Sequence, residues 1–83
     1  MSVWFVYMVR CADGSLYTGI TTDLDRRMDE HNGIRRGGAR YTRNRRPVEL
    51  VWHEPSNNRS TASQREYEIK RLTRSAKLSL VNL

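Results

Sequence analysis

Two apolar stretches near the start of the chain predict a β-hairpin. Val3 to Val9 combines β-branched, aromatic and Met side chains, which suit a buried strand, and Leu16 to Ile20 predicts a second, shorter strand. Between them, Asp13-Gly14 is a strong turn signal. The two strands are therefore expected to pair in antiparallel.

The length of the hairpin loop decides which side chains share a face of the sheet, because successive residues of a strand point to opposite faces. A two-residue loop would put Tyr7 and Tyr17 on opposite faces. A three-residue loop that ends on a left-handed Gly14 instead makes the two tyrosines diagonal neighbours on one face. The pairs would then be Val9 with Tyr17 and Tyr7 with Gly19. We favour the three-residue loop, although the spacing alone does not force it.

A helix is predicted from about Asp23 to Asn32. Thr22 and Asp25 resemble a capping box at its start, and Asn32-Gly33 is typical of a helix end. At helical spacing, its core-facing stripe contains Leu24, Arg27, Met28 and His31. An arginine and a histidine therefore share the side of the helix that faces the core.

The second half of the chain predicts one more strand and two more helices. Pro47 opens a strand over Val48 to His53, whose Val48, Leu50 and Trp52 alternate with the residues between them. Residues 55–59 are expected to form a turn. A capping box at Thr61-x-x-Gln64 begins a helix over residues 62–72, and Thr73 can cap a last helix that ends at Leu80.

The element order ββαβαα predicts an α+β fold, in which three helices pack on a three-stranded, mostly antiparallel sheet. A chain of 83 residues has room for one domain, so we expect residues 1–83 to fold as a single unit. No apolar run approaches the ~20 residues that span a bilayer, and the first ten residues lack the features of a secretory signal. We therefore expect a soluble, cytoplasmic protein with no membrane partner.

The chain is strongly basic, with a formal net charge of +6 and a pI near 10.2. Such a charge favours an anionic partner, nucleic acid before membrane, although charge alone indicates neither sequence specificity nor catalysis. Gly33 to Arg46 has no apolar periodicity and is expected to be a mobile connection unless a ligand orders it. This basic segment contains six arginines, namely Arg35, Arg36, Arg40, Arg43, Arg45 and Arg46. The only cysteine, Cys11, cannot form an internal disulfide, and no Cys/His cluster has zinc-ligand spacing.

Five motifs in order along the chain resemble the GIY-YIG nuclease family. Phe5-Val6-Tyr7 and, ten residues later, Tyr17-Thr18-Gly19 resemble the two halves of its signature. Arg27 and His31 stand at the Arg and His positions of the family's first helix, and Arg65-Glu66 resembles its Arg-Glu element. The run from Arg10 to Thr21 is similar to the small, single-domain, uncharacterised bacterial branch. The departures, at Phe5, Val6 and Thr18, fall on packing positions.

The resemblance implies a GIY-YIG endonuclease that hydrolyses DNA phosphodiester bonds with one divalent ion, Mg²⁺ or Mn²⁺. Tyr7 would be the general base, with Tyr17 orienting water or phosphate beside it. Arg27 would stabilise the charge that develops on the phosphoryl oxygens, and His31 would assist the base. Glu66 would hold the metal ion. Arg27 and the metal ion are expected to lower the pKa of Tyr7, since a phenol is otherwise a poor base at neutral pH.

Several alternatives stay open at this stage. Glu66 competes with Glu68, because both lie at the edge of the apolar stripe and only the family pattern prefers Glu66. The arginines of the basic segment are interpreted as a phosphate clamp, with Tyr41 available to stack on a base, although such a run is by default a solvated loop. A nucleic-acid-binding module without activity and an RNA-directed nuclease are the competing functions. The sequence leaves open the oligomeric state, a targeting partner protein and a role in DNA repair or recombination.

Overall fold

A three-stranded antiparallel sheet forms the centre of the protein. In the computed structural model, which describes residues 3–82, the strands are β1 (Trp4–Arg10), β2 (Leu16–Thr21) and β3 (Glu49–Ser56). They lie in the order β2-β1-β3, so β1 is the central strand and pairs with both neighbours. The predicted α+β class is confirmed.

The β1–β2 hairpin has the register that a three-residue loop predicts. Tyr7 lies opposite Gly19 and Val9 lies opposite Tyr17. The Cys11 amide donates a hydrogen bond to the Ser15 carbonyl at 2.8 Å, which closes the loop. Gly14 has a φ of +84°, a conformation that costs other residues free energy. Tyr7 and Tyr17 therefore share one face of the sheet.

β3 departs from its predicted pattern because it contains a β-bulge. Met8 lies opposite Trp52, but the next residue, Val9, lies opposite Leu50, so that Val51 is an extra residue on β3. Paired residues share a face, so Trp52 lies on the face of Met8 and Leu50 on the face of Val9. The prediction that Leu50 and Trp52 share one face is wrong.

β3 is also longer than predicted. It continues through Pro55 and Ser56, which the sequence placed in a turn. Pro55 is tolerated there because β3 is an edge strand, so only one of its sides has to supply ladder hydrogen bonds.

Helices cover both faces of the sheet. On one face, α3 (Arg59–Lys70) and α4 (Arg74–Val81) pack over a core of Val6, Met8, Ala62 and Ile69. On the other face, α1 (Leu24–His31) packs through Leu24 and Met28 against Tyr7, Val9, Cys11 and Val48. The side chain of Tyr7 therefore lies in the interior, between the sheet and α1.

Two helices are capped by residues other than those predicted from the sequence. The N-cap of α1 is Asp23, whose carboxylate accepts a hydrogen bond from the Arg26 amide at 3.0 Å. The N-cap of α3 is Asn58, which accepts from the Thr61 amide at 2.8 Å and so places Thr61 inside the first turn. The predicted N-cap of the last helix, Thr73, is confirmed.

The basic segment is not the irregular connection that the sequence predicts. Residues Arg40–Arg43 form a short helix, α2, which adds one helical turn to the predicted order ββαβαα. The Ala12 amide donates to the Arg45 carbonyl at 2.9 Å, and Arg46 Nε donates to the His31 carbonyl at 2.7 Å. Thr42 is fully buried. Contacts with the rest of the protein therefore hold this segment without any ligand.

Asn58→Ala tests the assignment of the α3 cap. Removal of the side-chain acceptor leaves an amide of the first turn unpaired, so we expect the free energy of unfolding to fall by about 1 kcal/mol in urea denaturation. Thr61→Ala is the matched control and should cost less, because it leaves the Asn58 cap in place. A larger loss for Thr61→Ala than for Asn58→Ala would restore the capping box predicted from the sequence.

Candidate active site

Three of the residues predicted to be functional meet at the hydroxyl of Tyr7. Its oxygen lies 2.6 Å from His31 Nε2, and Arg27 Nε donates a hydrogen bond to it at 3.3 Å. Arg27 and His31 are four residues apart on α1, so both point from the same face of the helix towards β1. Tyr7 and His31 are fully buried. We call Tyr7, Arg27 and His31 the Tyr7 cluster.

Thr42 fixes the direction of the hydrogen bond between Tyr7 and His31. Its hydroxyl donates its one proton to the Ala39 carbonyl at 3.0 Å, so it can only accept from His31 Nδ1, which lies 2.9 Å away. The proton of neutral His31 is therefore on Nδ1, and the lone pair of Nε2 faces Tyr7. Tyr7 donates to His31 and accepts from Arg27.

Burial keeps the tyrosine and the histidine uncharged at neutral pH. It raises the pKa of Tyr7 to about 12, although the hydrogen bond and the charge of Arg27 act in the opposite direction. Burial, together with the charge of Arg27, lowers the pKa of His31 to about 4. Arg27 acts on the pKa of Tyr7 in the expected direction, but the loss of solvent outweighs the guanidinium, so the pKa is raised overall.

Besides Tyr7, two acceptors fix the guanidinium of Arg27. Nη1 donates to Glu30 Oε1 at 2.6 Å and to the Gly37 carbonyl at 2.7 Å. Burial alone would lower the pKa of Arg27, but the hydrogen bonds to Glu30 and Tyr7 raise it above its ordinary value. The cluster therefore has a permanent, oriented positive charge beside the Tyr7 hydroxyl.

Tyr17 packs against the cluster and connects it to the basic segment. Its ring makes an edge contact with His31 at a centroid distance of 5.4 Å and stacks on Tyr41 at 5.6 Å. Arg45 lies over the Tyr41 ring, with Cζ 4.0 Å from the ring centroid. Tyr41, of which 39% is exposed, thus already has two partners within the protein.

Gly19 is required by the position of the Tyr7 ring. A Cβ at this residue would lie 2.5 Å from the Tyr7 hydroxyl oxygen and 2.7 Å from the ring carbon that bears it. Any side chain here would push Tyr7 away from His31 and Arg27. The third residue of the Tyr17-Thr18-Gly19 motif could have revealed this role in the sequence.

Glu66 lies on the side of α3 that faces the cluster. Its charge contributes to raising the pKa of Tyr7, after burial and the neighbouring Tyr17. Only 23% of its side chain is exposed, and Oε2 pairs with Lys70 Nζ at 3.2 Å. Glu68 has 63% of its side chain exposed and pairs with Arg65 instead. The geometry thus favours Glu66 over Glu68 as the carboxylate of the site.

The acidic groups near the cluster fit a metal ion that takes few protein ligands. Within residues 3–82, no three His, Cys, Asp or Glu side chains come together at a metal-binding distance. Mg²⁺ often binds through one or two carboxylates and completes its shell with water and substrate phosphate oxygens. Glu66 can supply one such carboxylate, and Lys70 shows that a cation is already stable beside it.

The arginines of the basic segment fall into two groups. Three have partners inside the protein: Arg35 with Asp29 at 3.8 Å, Arg45 with Asp13 at 3.0 Å, and Arg46 with the His31 carbonyl. The other three are exposed and have no carboxylate within 4.0 Å in the described part of the chain: Arg36, Arg40 and Arg43. Only this second group is free to contact a phosphate without giving up an ion pair or hydrogen bond within the protein.

Sequence reasoning missed the residues that support the site. Thr42 gives no signal, because it lies within a run of arginines and contacts His31 only through the fold. Glu30 and Lys70 resemble ordinary solvated positions on helices, although their spacing from Arg27 and Glu66 permits ion pairs along a helix.

Comparisons with known proteins agree on one family. The family model described as "GIY-YIG catalytic domain" matches residues 3–79. A UPF0213 protein from Desulfotalea psychrophila is 60% identical over 94% of this chain and 70% of its own length. A UPF0213 protein from Staphylococcus aureus is 52% identical over 98% of this chain and 96% of its own length.

Solved structures show the same fold. The solution NMR structure of a UPF0213 protein from Bacillus halodurans has a TM-score of 0.60 and 44% identity, and covers 96% of this chain and 83% of its own. The solution NMR structure of a protein from E. faecalis has a TM-score of 0.62 and 42% identity, over 93% and 80% of the two chains. None of the helices formed by residues 3–82 has the length and apolar character needed to cross a membrane.

Thr42→Val tests the tautomer of His31. Valine has the shape of threonine but cannot accept a hydrogen bond, so the Nδ1 proton would be buried without a partner at a cost of about 1–3 kcal/mol. Urea denaturation should show this loss, whereas Thr42→Ser, which keeps the hydroxyl and removes only a buried methyl group, should lose less. ¹⁵N NMR of the His31 ring should place the proton on Nδ1 in the wild type, and a proton on Nε2 would contradict the assignment.

The lowered pKa of His31 predicts a loss of stability in mild acid. Below its ordinary pKa of 6.5, His31 gains a proton in the unfolded chain but stays neutral in the folded protein until about pH 4. The free energy of unfolding should therefore decrease between these values, by an amount on the order of 2–3 kcal/mol. Urea denaturation at a series of pH values should show this decrease in the wild type and in His53→Gln, but a weaker one in His31→Gln. Equal pH dependence in all three proteins would refute it.

Proposed function

Because the chain belongs to the GIY-YIG catalytic domain family, we propose that it is a metal-dependent endonuclease that hydrolyses phosphodiester bonds in DNA. The observation that supports this most strongly is the Tyr7 hydroxyl, which donates to a neutral histidine and accepts from an arginine. Any buried tyrosine hydroxyl needs a hydrogen-bond partner, but a backbone carbonyl would be enough, and charged groups such as Arg27 are rarely turned towards the interior.

The hydrogen bonds suggest how Tyr7 acts as the general base. Tyr7 takes a proton from the attacking water while its own proton moves to His31 Nε2, which is 2.6 Å away. This relay avoids a free phenolate, which would be scarce at neutral pH when the pKa is about 12. Thr42 accepts from Nδ1 of the resulting imidazolium and keeps the ring in place. The negative charge of a bound phosphodiester would favour the imidazolium and so offset the low pKa of His31.

Arg27 is placed to stabilise the charge that develops on the phosphoryl oxygens. Its guanidinium is already oriented by Glu30 and the Gly37 carbonyl, so little reorganisation is needed when the substrate binds. The same group donates to Tyr7 and therefore fixes the distance between the base and the phosphate.

Glu66 would hold the divalent ion, Mg²⁺ or Mn²⁺. When bound, such an ion stabilises the charge on the phosphoryl oxygens and on the leaving 3′ oxygen. The ammonium of Lys70, which pairs with Glu66 Oε2 at 3.2 Å, would compete with the ion for this carboxylate. Because this ammonium also lies near the ring of Tyr17, it could face a phosphate oxygen instead.

The exposed arginines Arg36, Arg40 and Arg43 would bind the DNA backbone on the side of the basic segment. Contacts of this kind position DNA without selecting a sequence, which leaves target choice to DNA structure or to a partner protein. We extend the proposal to one nuclease domain over residues 1–83, which acts on DNA in the cytoplasm during repair or recombination. Of that range, residues 1, 2 and 83 lie outside the part of the chain that the structure describes.

A cleavage assay with three variants tests the proposed activity. Wild type, Tyr7→Phe and Glu66→Gln are incubated with supercoiled, branched and single-stranded DNA and with RNA, in Mg²⁺, Mn²⁺ or EDTA. We expect metal-dependent cutting of DNA that falls by about 10²-fold or more in both variants, because one removes the proposed general base and the other the proposed metal ligand. Glu68→Gln is the matched control on the same helix and should keep its activity within a few fold.

The other outcomes distinguish the competing functions. Cutting of RNA alone would replace the DNA substrate with RNA. Salt-sensitive binding to every substrate without any cutting would indicate a nucleic-acid-binding module. Equal losses in Glu66→Gln and Glu68→Gln would remove Glu66 from its assigned role.

A further inference from the structure

A pocket of about 270 Å³ lies beside the Tyr7 cluster, at the end of β2. Among its lining residues are Trp4, Thr22, Arg26, Arg27, Glu30 and Arg59. We propose that this Trp4 pocket binds the nucleotide next to the scissile phosphate of a DNA strand, an inference that rests on the proposed nuclease function. Of these residues, only Arg27 belongs to the Tyr7 cluster, and Glu30 supports it through an ion pair. The other lining residues have no role in the candidate active site.

The position of the pocket follows from the course of β2 and α3. Along β2, Tyr17 and Gly19 lie at the cluster, and the next residue on that edge, Thr21, lines the pocket. Two residues of strand span about 7 Å. Along α3, Lys70 and Glu66 face the cluster and Arg59, which lines the pocket, is seven residues before Glu66, or about 10 Å at the rise of a helix.

These two estimates place the pocket one step beyond the reacting phosphate. The estimate along β2 is comparable with the distance between neighbouring phosphates on an extended strand, and the estimate along α3 is longer. Arg27 belongs to both places, because it donates to Tyr7 and also lines the pocket. A DNA strand laid along the β2 edge would therefore pass from the cluster into the pocket without a break.

The charges in the pocket suit a phosphate. It contains three guanidinium groups, of Arg26, Arg27 and Arg59, and one carboxylate, that of Glu30. Glu30 is already paired with Arg27 at 2.6 Å and holds Arg26 more loosely at 3.5 Å. Within residues 3–82, Arg59 has no carboxylate within 4.0 Å. Arg26 and Arg59 thus have charge available for an anion.

The apolar part of the pocket suits the sugar and base of the same nucleotide. Trp4 is half-buried, and the guanidinium carbon of Arg59 lies 5.9 Å from its ring centroid. An aromatic ring beside a cation is the combination that single-strand binding sites use, because every base has a face that can pack on it. The pocket thus offers both a phosphate contact and a surface for the base.

The pocket also lies outside the basic segment. Arg36, Arg40 and Arg43 approach the cluster from the α1–β3 connection, whereas Arg59 belongs to the start of α3. Contacts from both directions would fix the strand on either side of the reacting phosphate. Such two-sided positioning holds the phosphate in line with the attacking water.

Binding to a fluorescein-labelled single-stranded DNA oligonucleotide tests the pocket. The measurement uses a Tyr7→Phe background, in which the DNA stays intact. We expect Arg59→Ala to weaken binding by several fold to about tenfold, and to make the slope of log K against log salt less negative by about one. Lys77→Ala is the control for loss of one positive charge, because it lies on α4, which packs against β3 at the other edge of the sheet, and it should change binding less than twofold.

The fluorescence of Trp4 provides a second measurement. In Trp52→Phe, Trp4 is the one remaining tryptophan of the chain, so its emission should change when the oligonucleotide is added. Arg59→Lys keeps the charge but not the planar guanidinium, and should recover part of the affinity lost in Arg59→Ala.

The outcomes separate this inference from the nuclease proposal. Cutting by the wild type, with Arg59→Ala binding like Lys77→Ala and no change in Trp4 emission, would overturn the pocket and leave the nuclease proposal intact. No cutting by the wild type, with the Arg59→Ala effect present, would overturn the nuclease proposal and leave the pocket as a DNA site. No binding to any DNA would overturn both.

Discussion

The hydrogen bond from the Tyr7 hydroxyl to His31 Nε2 is the interaction on which the rest of the site depends. It forms between two buried rings, and burial keeps both of them neutral, with the pKa of Tyr7 at about 12 and that of His31 at about 4. Its direction is set from behind by Thr42. One hydrogen bond therefore requires β1, α1 and α2 to be correctly placed at the same time.

The parts of the fold that were predicted correctly are those fixed by local chemistry. The register of the β1–β2 hairpin follows from the Gly14 turn, and the Thr73 cap follows from a single suitable residue before α4. The predicted start of α3 was wrong, because Asn58 and Thr61 can both cap a helix. The end of β3 at Ser56 decides between the two residues. The bulge at Val51 has no local signal, since Leu50 and Trp52 are equally apolar and only packing on β1 separates their faces.

The candidate site shows the same division. The motifs that resemble the GIY-YIG family single out Tyr7, Tyr17, Arg27 and His31, and the structure brings them together. The sequence could not identify Thr42, which reaches His31 only because α2 packs against α1. It indicated the lowering effect of Arg27 on the pKa of Tyr7 but not the larger raising effect of burial, because a charged neighbour is visible in a sequence whereas loss of solvent is not. Supporting residues and the burial of side chains thus become visible only in the folded structure, whereas motif residues can be recognised in the sequence.

The hairpin loop has a consequence for how this protein can vary. Surface loops usually accept insertions and deletions, because their length matters little to the elements that they connect. Here, removal of one residue between β1 and β2 would turn Tyr17 to the opposite face of the sheet and separate it from His31. Variants should therefore change the amino acids of this loop more readily than its length.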